Sequence, residues 1–301
     1  MTEPVLKHNR TRIEPAGQAE QITPLVRRMV APNGSPFTFT GTCTYIVGKD
    51  KVAIIDPGPD DEAHVQALLR AVEGQSVDHI VITHTHKDHS PASRALQKAT
   101  GAKIVGCAAF VPAKDRPPGG LDSSHDTDYA PDAEMFDGDE LYGAGFTLQA
   151  IATPGHASNH LAFALREENT VFSGDHVMAW STSIVAPPDG SMQDYMRSLD
   201  KLLVREDSLY WPGHGDAVEE PQAYVNGLVH HRKLREAAIC QRIAAGDTDI
   251  ATMVANIYVG YDDRLQRAAA LSVLAHLEDM VERGVVATDG PATLTSAYRM
   301  S

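Results

Sequence analysis

The apolar run from His79 to Thr83 opens directly onto His84-Thr85-His86-Lys87-Asp88-His89, and no other stretch restricts the possible folds as tightly. Alternate residues of an extended chain point the same way, so His84 and His86 can address one point in space. Asp88 and His89 follow as the chain turns and can address a second point close by. Imidazole and carboxylate in this pattern suit Zn²⁺ or a neighbouring first-row metal. The HxHxDH spacing is too specific for a chance cluster to be a serious rival.

A fold built around this cluster must deliver further donors, and three strand-to-turn junctions do so. Thr153-Pro154-Gly155-His156 follows a strand ending at Ile151, Ser173-Gly174-Asp175 follows Val171-Phe172, and Pro212-Gly213-His214-Gly215 follows Leu209-Tyr210-Trp211. Each candidate ligand comes just after a small or rigid residue, and glycine lets the backbone approach closely and turn sharply. One such turn alone reads as structural; together with the histidine cluster, and in this order, they read as a metal site.

The first part of the chain alternates strands and helices. Thr42 to Val47 and Val52 to Ile55 are β-rich and separated by the turn Gly48-Lys49-Asp50. Asp61 to Val72 has helical spacing through His64, Leu68, Leu69 and Val72, and Lys103 to Val105, Phe146 to Ile151, His160 to Leu165 and Thr170 to Phe172 read as further strands. Beyond Gly215 the pattern is helical: Tyr224 to Ala245, Asp249 to Val259, and Leu265 to Arg283 with an apolar face of Leu271, Leu274, Leu277 and Val281. Gly284-Val285-Val286 then reads as a short strand or wing. The expected division is a large domain at residues 1–220 and a small helical one at 221–301. Pro112 to Glu140 is rich in Pro, Gly and Asp; from Asp115 to Glu140 it carries nine acidic residues and one basic one, Arg116. It is expected as a surface loop or a flap near the site.

Composition narrows the setting. At 301 residues and 43% hydrophobic, the chain can bury a core without disulfides. Cys43, Cys107 and Cys240 form no CxxC pair, which fits a reducing, cytoplasmic compartment. Met1 to Arg10 contains no apolar signal region, and no stretch is apolar enough for a membrane span. A net charge of −14 speaks against non-specific binding to nucleic acid or anionic membrane.

These residues resemble the metallo-β-lactamase-fold superfamily over about residues 20 to 220. Asp56 in Ile54-Ile55-Asp56-Pro57-Gly58, the HxHxDH cluster, His156, Asp175 and His214 correspond to its five motifs. The resemblance implies an α+β architecture, a four-layer αβ/βα sandwich with the site at one edge of two facing sheets. By position it implies that His84, His86 and His156 hold one metal, that Asp88, His89 and His214 hold a second, and that Asp175 bridges them. Asp56 is then the carboxylate that orients this loop from behind; judged alone, it reads equally as a strand-end cap. The implied cofactor is two zinc ions, with manganese or iron as alternatives. A true β-lactamase is disfavoured, because those enzymes usually carry Cys at the bridging position and are exported.

Over nearly the full length, Asn33-Gly34-Ser35-Pro36-Phe37-Thr38, Gly41-Thr42-Cys43-Thr44-Tyr45, Asp137-Gly138-Asp139 and His230-His231-Arg232-Lys233-Leu234-Arg235-Glu236 resemble the lactamase-beta-like protein 2 group. That group is related to single-stranded RNA endonucleases, and the helical tail resembles its winged-helix-like C-terminal domain. Cys43, where the group commonly has Asn, and Pro91-Ala92, where it commonly has Gly-Gly, depart from it near the site.

The expected activity is a metal-dependent hydrolase using a hydroxide bridged by two metals, with Asp88 and Asp175 as catalytic carboxylates and no Ser or Cys nucleophile. His160 is a candidate donor to the substrate or leaving group, its rival reading being a structural histidine that opens a strand. His176 reads as structural, and His125, His230 and His231 as surface or helix residues. Arg232, Lys233 and Arg235 form a basic patch, either a solvated helix face or an anion site. The substrate is single-stranded RNA or a small molecule, the second in the manner of thioesterases, lactonases and hydroxyacylglutathione hydrolases. Charge opposes the first. The non-hydrolytic alternatives are a tail-directed interaction protein and a mononuclear iron oxygenase on the same fold.

Overall fold

The computed structural model describes residues 6–11, 16–112, 124–260 and 266–301. Two sheets face each other. The first holds β1 (Glu20–Gln21), β2 (Val26–Val30), β3 (Cys43–Gly48), β4 (Lys51–Ile55), β5 (Ser76–Ile82), β6 (Lys103–Gly106) and β7 (Ala133–Glu134), adjacent in sequence order. It is antiparallel as far as β4 and parallel beyond it. The second sheet holds β8 (Glu140–Gly143), β9 (Phe146–Ala152), β10 (Leu161–Leu165), β11 (Thr170–Gly174) and β12 (Leu209–Pro212), in the spatial order β12-β11-β10-β9-β8.

Strand β10 explains the layering. Leu161, Phe163 and Leu165 enter the core shared with the first sheet, whereas Ala162 and Ala164 enter the core formed with α3 (Met192–Leu203) and α4 (Pro221–Ala244). The period of two sends large side chains between the sheets and small ones beneath the helices. All five residues are buried. A fully buried Leu or Phe contributes about 1.5–3 kcal/mol, so a one-residue slip that turned Phe163 toward the helices would be heavily disfavoured. Against the first sheet, α1 (Glu62–Ala71) and α2 (Ala92–Thr100) pack Val65, Leu68 and Leu96, which join the same cluster of buried residues. The order of layers is helix, sheet, sheet, helix, the four-layer α+β sandwich that the resemblance implied.

Local chemistry sets the helix limits. Asp61 caps α1 by accepting the His64 N–H at 2.8 Å, and Ser191 caps α3 by accepting the Asp194 N–H at 3.2 Å. Gly101, at φ +75°, ends α2. Strands β1, β2, β7 and β8 and helices α2 and α3 go beyond the elements read from the sequence. Strand β2 escapes an alternation test because Arg28 lies inside it, 7% exposed and held by Glu20 and Asp216. Helix α2 begins at Ala92, has Pro91 as its N-cap with no side-chain capping bond, and follows the metal motif after only Ser90 and Pro91.

The chain continues with α4, α5 (Ile250–Ile257), α6 (Gln266–Glu282) and the hairpin of β13 (Val286–Thr288) with β14 (Tyr298–Met300). Helix α4 serves two cores. Val225, Leu228 and Val229 pack beneath the second sheet, and Ile239 and Ile243 pack with Met253, Leu277, Met280 and Tyr298. The expected helix start at Leu265, and Asp115, Arg116 and Asp122 of the acidic segment, lie outside the described residues. Among the described residues, no helix is long and apolar enough to cross a membrane.

Candidate metal centre

Parallel strand pairing sets the candidate ligands side by side. In β4 and β5, Ile55 pairs with Val81, so Asp56 falls beside the end of β5. Its carboxylate accepts the Thr83 N–H at 2.8 Å and the Thr83 hydroxyl at 2.6 Å. In β11 and β12, Gly174 pairs with Pro212, which places Asp175 beside Gly213 and His214. Two backbone bonds join the sheets at this edge, from Leu161 N–H to Thr83 O at 2.8 Å and from Cys43 N–H to Gly213 O at 2.7 Å.

Three groupings of donors lie close enough to hold an ion: His84, His86 and His156 form one set, Asp88, His89 and His214 another, and Asp56 with His84 and His89 links the two. In the first, His86 Nδ1 lies 3.0 Å from both His84 Nε2 and His156 Nε2. In the second, Asp88 Oδ2 lies 3.2 Å from His214 Nε2 and 3.5 Å from His89 Nε2. Asp175 stands between them: one oxygen is 3.6 Å from His156 Nε2 and 3.3 Å from His214 Nε2, and the other is 3.5 Å from His89 Nε2.

The donor set fits divalent cations. His84 Nδ1–H donates to Thr83 Oγ1 (2.9 Å), whose own proton goes to Asp56. His89 Nδ1–H donates to Asp56 (2.9 Å), His156 Nδ1–H to Ile184 O (2.6 Å) and His214 Nδ1–H to Gly41 O (3.2 Å). In the neutral rings each outer nitrogen therefore carries the proton, and a lone pair points inward. His86 Nδ1 can donate to only one of its two neighbours, so at least one pair of lone pairs faces each other unless a cation lies between them. His89 Nε2 and Asp175 Oδ1 are buried without hydrogen-bond partners.

Electrostatics agrees with this fit. Burial, reinforced by neighbouring histidines, holds His84 and His86 well below the usual imidazole range. Burial also opposes charge on His89 and His214, but the surrounding carboxylates outweigh it. Asp88, Asp175 and Asp56 raise His89 well above its usual value, and Asp175 and Asp88 raise His214 to about 9. The proton drawn to each Nε2 occupies the position for which a metal ion competes. Asp88 and Asp175 stay well below the carboxylate range despite burial, because of these same histidines. The Cys43 thiol is pushed up to about 11 by burial, so it stays a neutral thiol.

Asp56 sits at φ +46°, a backbone region that Asn also tolerates. Asp56→Asn therefore preserves the turn but presents an amide N–H to His89 Nδ1, forcing the proton onto Nε2. We expect metal affinity at the Asp88/His89/His214 set to fall by about 10–100-fold with the fold intact. Metal titration against circular dichroism checks this; unchanged affinity would remove Asp56 from the orienting role.

Other expectations need correction. His160 does not face a substrate: it is 1% exposed, its Nε2 accepts the Asp175 N–H at 3.1 Å, and its Nδ1 donates to Thr153 Oγ1 at 2.9 Å. With both nitrogens committed, it positions the Asp175 backbone. His125 is not a surface residue. It is 2% exposed, stacked on Phe110 at 3.8 Å, 3.2 Å from Asp189 and 2.9 Å from Thr85 Oγ1, with its ring 4.6 Å from that of His86. Asn159 donates to the same Thr85 hydroxyl at 3.0 Å. The proximity of His125, Asp189 and Asn159 gave no local pattern, although Pro187-Pro188-Asp189-Gly190 is a recognisable turn sequence. Arg232 is buried against the loop at Ser183, so the basic patch is no uniform solvated face, although Lys233 is exposed. On the His214 side, Phe39 stacks on Trp180 at 5.1 Å, and Trp180 packs over Gly215.

The sequence profile of the metallo-beta-lactamase superfamily matches residues 37–214, and that of the beta-lactamase associated winged helix domain matches residues 250–292. The chain is 29% identical over 282 residues to a beta-lactamase-like protein 2 homolog of Caenorhabditis elegans, covering 92% of this chain and 90% of that protein. It is 30% identical over 228 residues to an atrochrysone carboxyl ACP thioesterase of Paecilomyces divaricatus, covering 75% and 66%. Among solved structures, a metallo-beta-lactamase family protein of Thermus thermophilus superposes with a TM-score of 0.76 at 22% identity, covering 93% of this chain and 100% of that one. A beta-lactamase domain protein of Burkholderia ambifaria gives 0.79 at 17% identity, covering 98% and 97%. These two likenesses concern the fold.

Proposed function

Because the chain belongs to the metallo-beta-lactamase superfamily, we propose that it is a two-metal hydrolase acting on the carbonyl of a small acyl ester or thioester. The observation that carries this reading is Asp175, whose carboxylate faces ligands of both donor sets. His84, His86 and His156 would hold one ion, and Asp88, His89 and His214 the other. Bound there, divalent ions supply Lewis acidity and a nucleophile at neutral pH by lowering the pKa of water. Asp88, 27% exposed against 9% for Asp175, is the carboxylate open to solvent and can accept the proton released during attack. His160 and Asp56 keep Asp175 and His89 in place.

The acyl reading is supported by the aromatic pair Phe39 and Trp180 beside His214, by the net charge of −14, and by a relative named as a thioesterase. A second reading, cleavage of single-stranded RNA, is favoured by the winged helix. Residues 221–301 weigh against it, with eight basic and nine acidic residues, whereas phosphodiester tracks are cationic.

The test counts metal per chain, then measures turnover of acyl esters, thioesters and end-labelled single-stranded RNA by zinc- and manganese-loaded protein, with Asp88→Ala as control. We expect two ions per chain and acyl hydrolysis lost in the variant. One iron per chain with oxygen consumption would overturn the hydrolase. RNA cleavage that depends on Asp88, without acyl turnover, would replace the substrate.

A further inference from the structure

We propose that Arg232 is a positioning residue through which helix α4 holds His156, and with it one half of the metal centre, in register. This rests on the metal-centre reading above. The Arg232 side chain is 3% exposed, makes no ion pair among the described residues, and leaves its Nε buried without a partner. A buried guanidinium without a counter-charge is unfavourable for folding, and replacing it with an apolar side chain of similar volume is often neutral or better. Its contacts instead converge on the loop between two ligands.

Arg232 Nη2 donates to Ser183 O, and its guanidinium carbon lies 4.9 Å from the centre of the Tyr195 ring. Both contacts lead to one place. The Ser183 hydroxyl donates to His176 O at 2.8 Å, and the Tyr195 hydroxyl donates to the same carbonyl at 3.1 Å. The Tyr195 ring also packs on the His176 ring, centroids 4.5 Å apart. His176 directly follows Asp175. The residue after Ser183 is Ile184, whose carbonyl takes the Nδ1 proton of His156 at 2.6 Å. Arg232 thus clamps both ends of residues 176–184, one adjoining Asp175 and the other setting the tautomer and aim of His156. A guanidinium suits this place because it can donate a hydrogen bond and lie flat on an aromatic face together; a lysine ammonium keeps the charge and loses the planar stacking.

The test compares wild type with Arg232→Met, Arg232→Lys, Tyr195→Phe and, as a control on the same helix, Lys233→Ala. Zinc affinities by chelator competition and the visible spectrum of the cobalt-loaded protein are read alongside circular dichroism. Arg232→Met is expected to weaken one of the two ions by about 10–100-fold and to shift the cobalt spectrum, with the fold and the other ion unchanged. Arg232→Lys recovers part of the loss, and Lys233→Ala matches wild type. Tyr195→Phe, which keeps the ring and removes only the bond to His176 O, weakens the same ion to a smaller degree and decides the matter should Arg232→Met not fold. Two unchanged affinities and an unchanged spectrum in a folded Arg232→Met overturn the role of Arg232 alone; so do wild-type values in Tyr195→Phe if the first variant is unfolded. A wild-type chain that binds no metal overturns the metal-centre reading as well.

Discussion

Asp175→Ala is expected to abolish turnover and to reduce metal content together. The carboxylate lies within 3.6 Å of His156, His89 and His214, so it faces ligands of both donor sets. Its negative charge sets against the positive charge that two divalent ions would bring into a largely buried space, and the low local dielectric makes that term large. Removing it leaves three neutral imidazoles on one side and one carboxylate on the other. We expect kcat/KM to fall by at least about 10³-fold, or about 4 kcal/mol of transition-state stabilisation. The measurement is turnover and metal per chain at matched free zinc. A variant that kept two ions and most of its activity would show that Asp175 does not bridge.

Gly213→Ala should have an effect of similar size for a different reason. The backbone of Gly213 does not occupy the left-handed region, so alanine is conformationally allowed there. An added methyl would lie 2.4 Å from Asp175 Oδ1 and 2.7 Å from His89 Cε1, which means that the ligands must move. Gly213 is also tied by its N–H to Gly174 O (2.8 Å) and by its carbonyl to Cys43 N–H (2.7 Å), so the turn cannot yield instead. The expected outcome is a folded protein with near-native thermal unfolding and on the order of 10² to 10³ less activity, in the range for misplaced catalytic geometry. Wild-type activity would mean that the centre tolerates displacement of His89 and Asp175, contrary to a rigid two-metal site.

The metal motif could be read from the sequence because its members are neighbours in the chain and because strands end abruptly at glycine. His84, His86, Asp88 and His89 lie on one continuous segment, and Asp175 and His214 each follow a short apolar strand. What stayed hidden depends on contacts between distant segments. His125 reads as an ordinary polar residue until the Phe110 ring and Asp189 are brought to it. Arg232 reads as helix surface because its immediate neighbours Lys233 and Leu234 are exposed; its burial comes from Tyr195 and Ser183 on other elements. His160 carried a spacing that suggested chemistry, and only the N–H of Asp175 reveals that its free nitrogen is already used. Helix α3 is the opposite case: the Ser191 cap and the spacing of Tyr195, Leu199 and Leu202 were present as local signals.

Helix α4, shared by two cores, also bears on the order in which the molecule is completed during synthesis. Every candidate ligand, from His84 to His214, precedes Pro221, so the whole donor set leaves the ribosome before the helix that covers the outer face of the second sheet. Until that helix arrives, the cluster of Ile151, Ala162, Ala164 and Val171 lacks Val225, Leu228 and Val229. Domains generally fold as units and N-terminal parts emerge first, and exposed apolar sheet is the surface on which nascent chains aggregate. A chain stopped short of Pro221 would therefore carry every candidate ligand yet leave apolar residues of the second sheet without the α4 side chains that bury them.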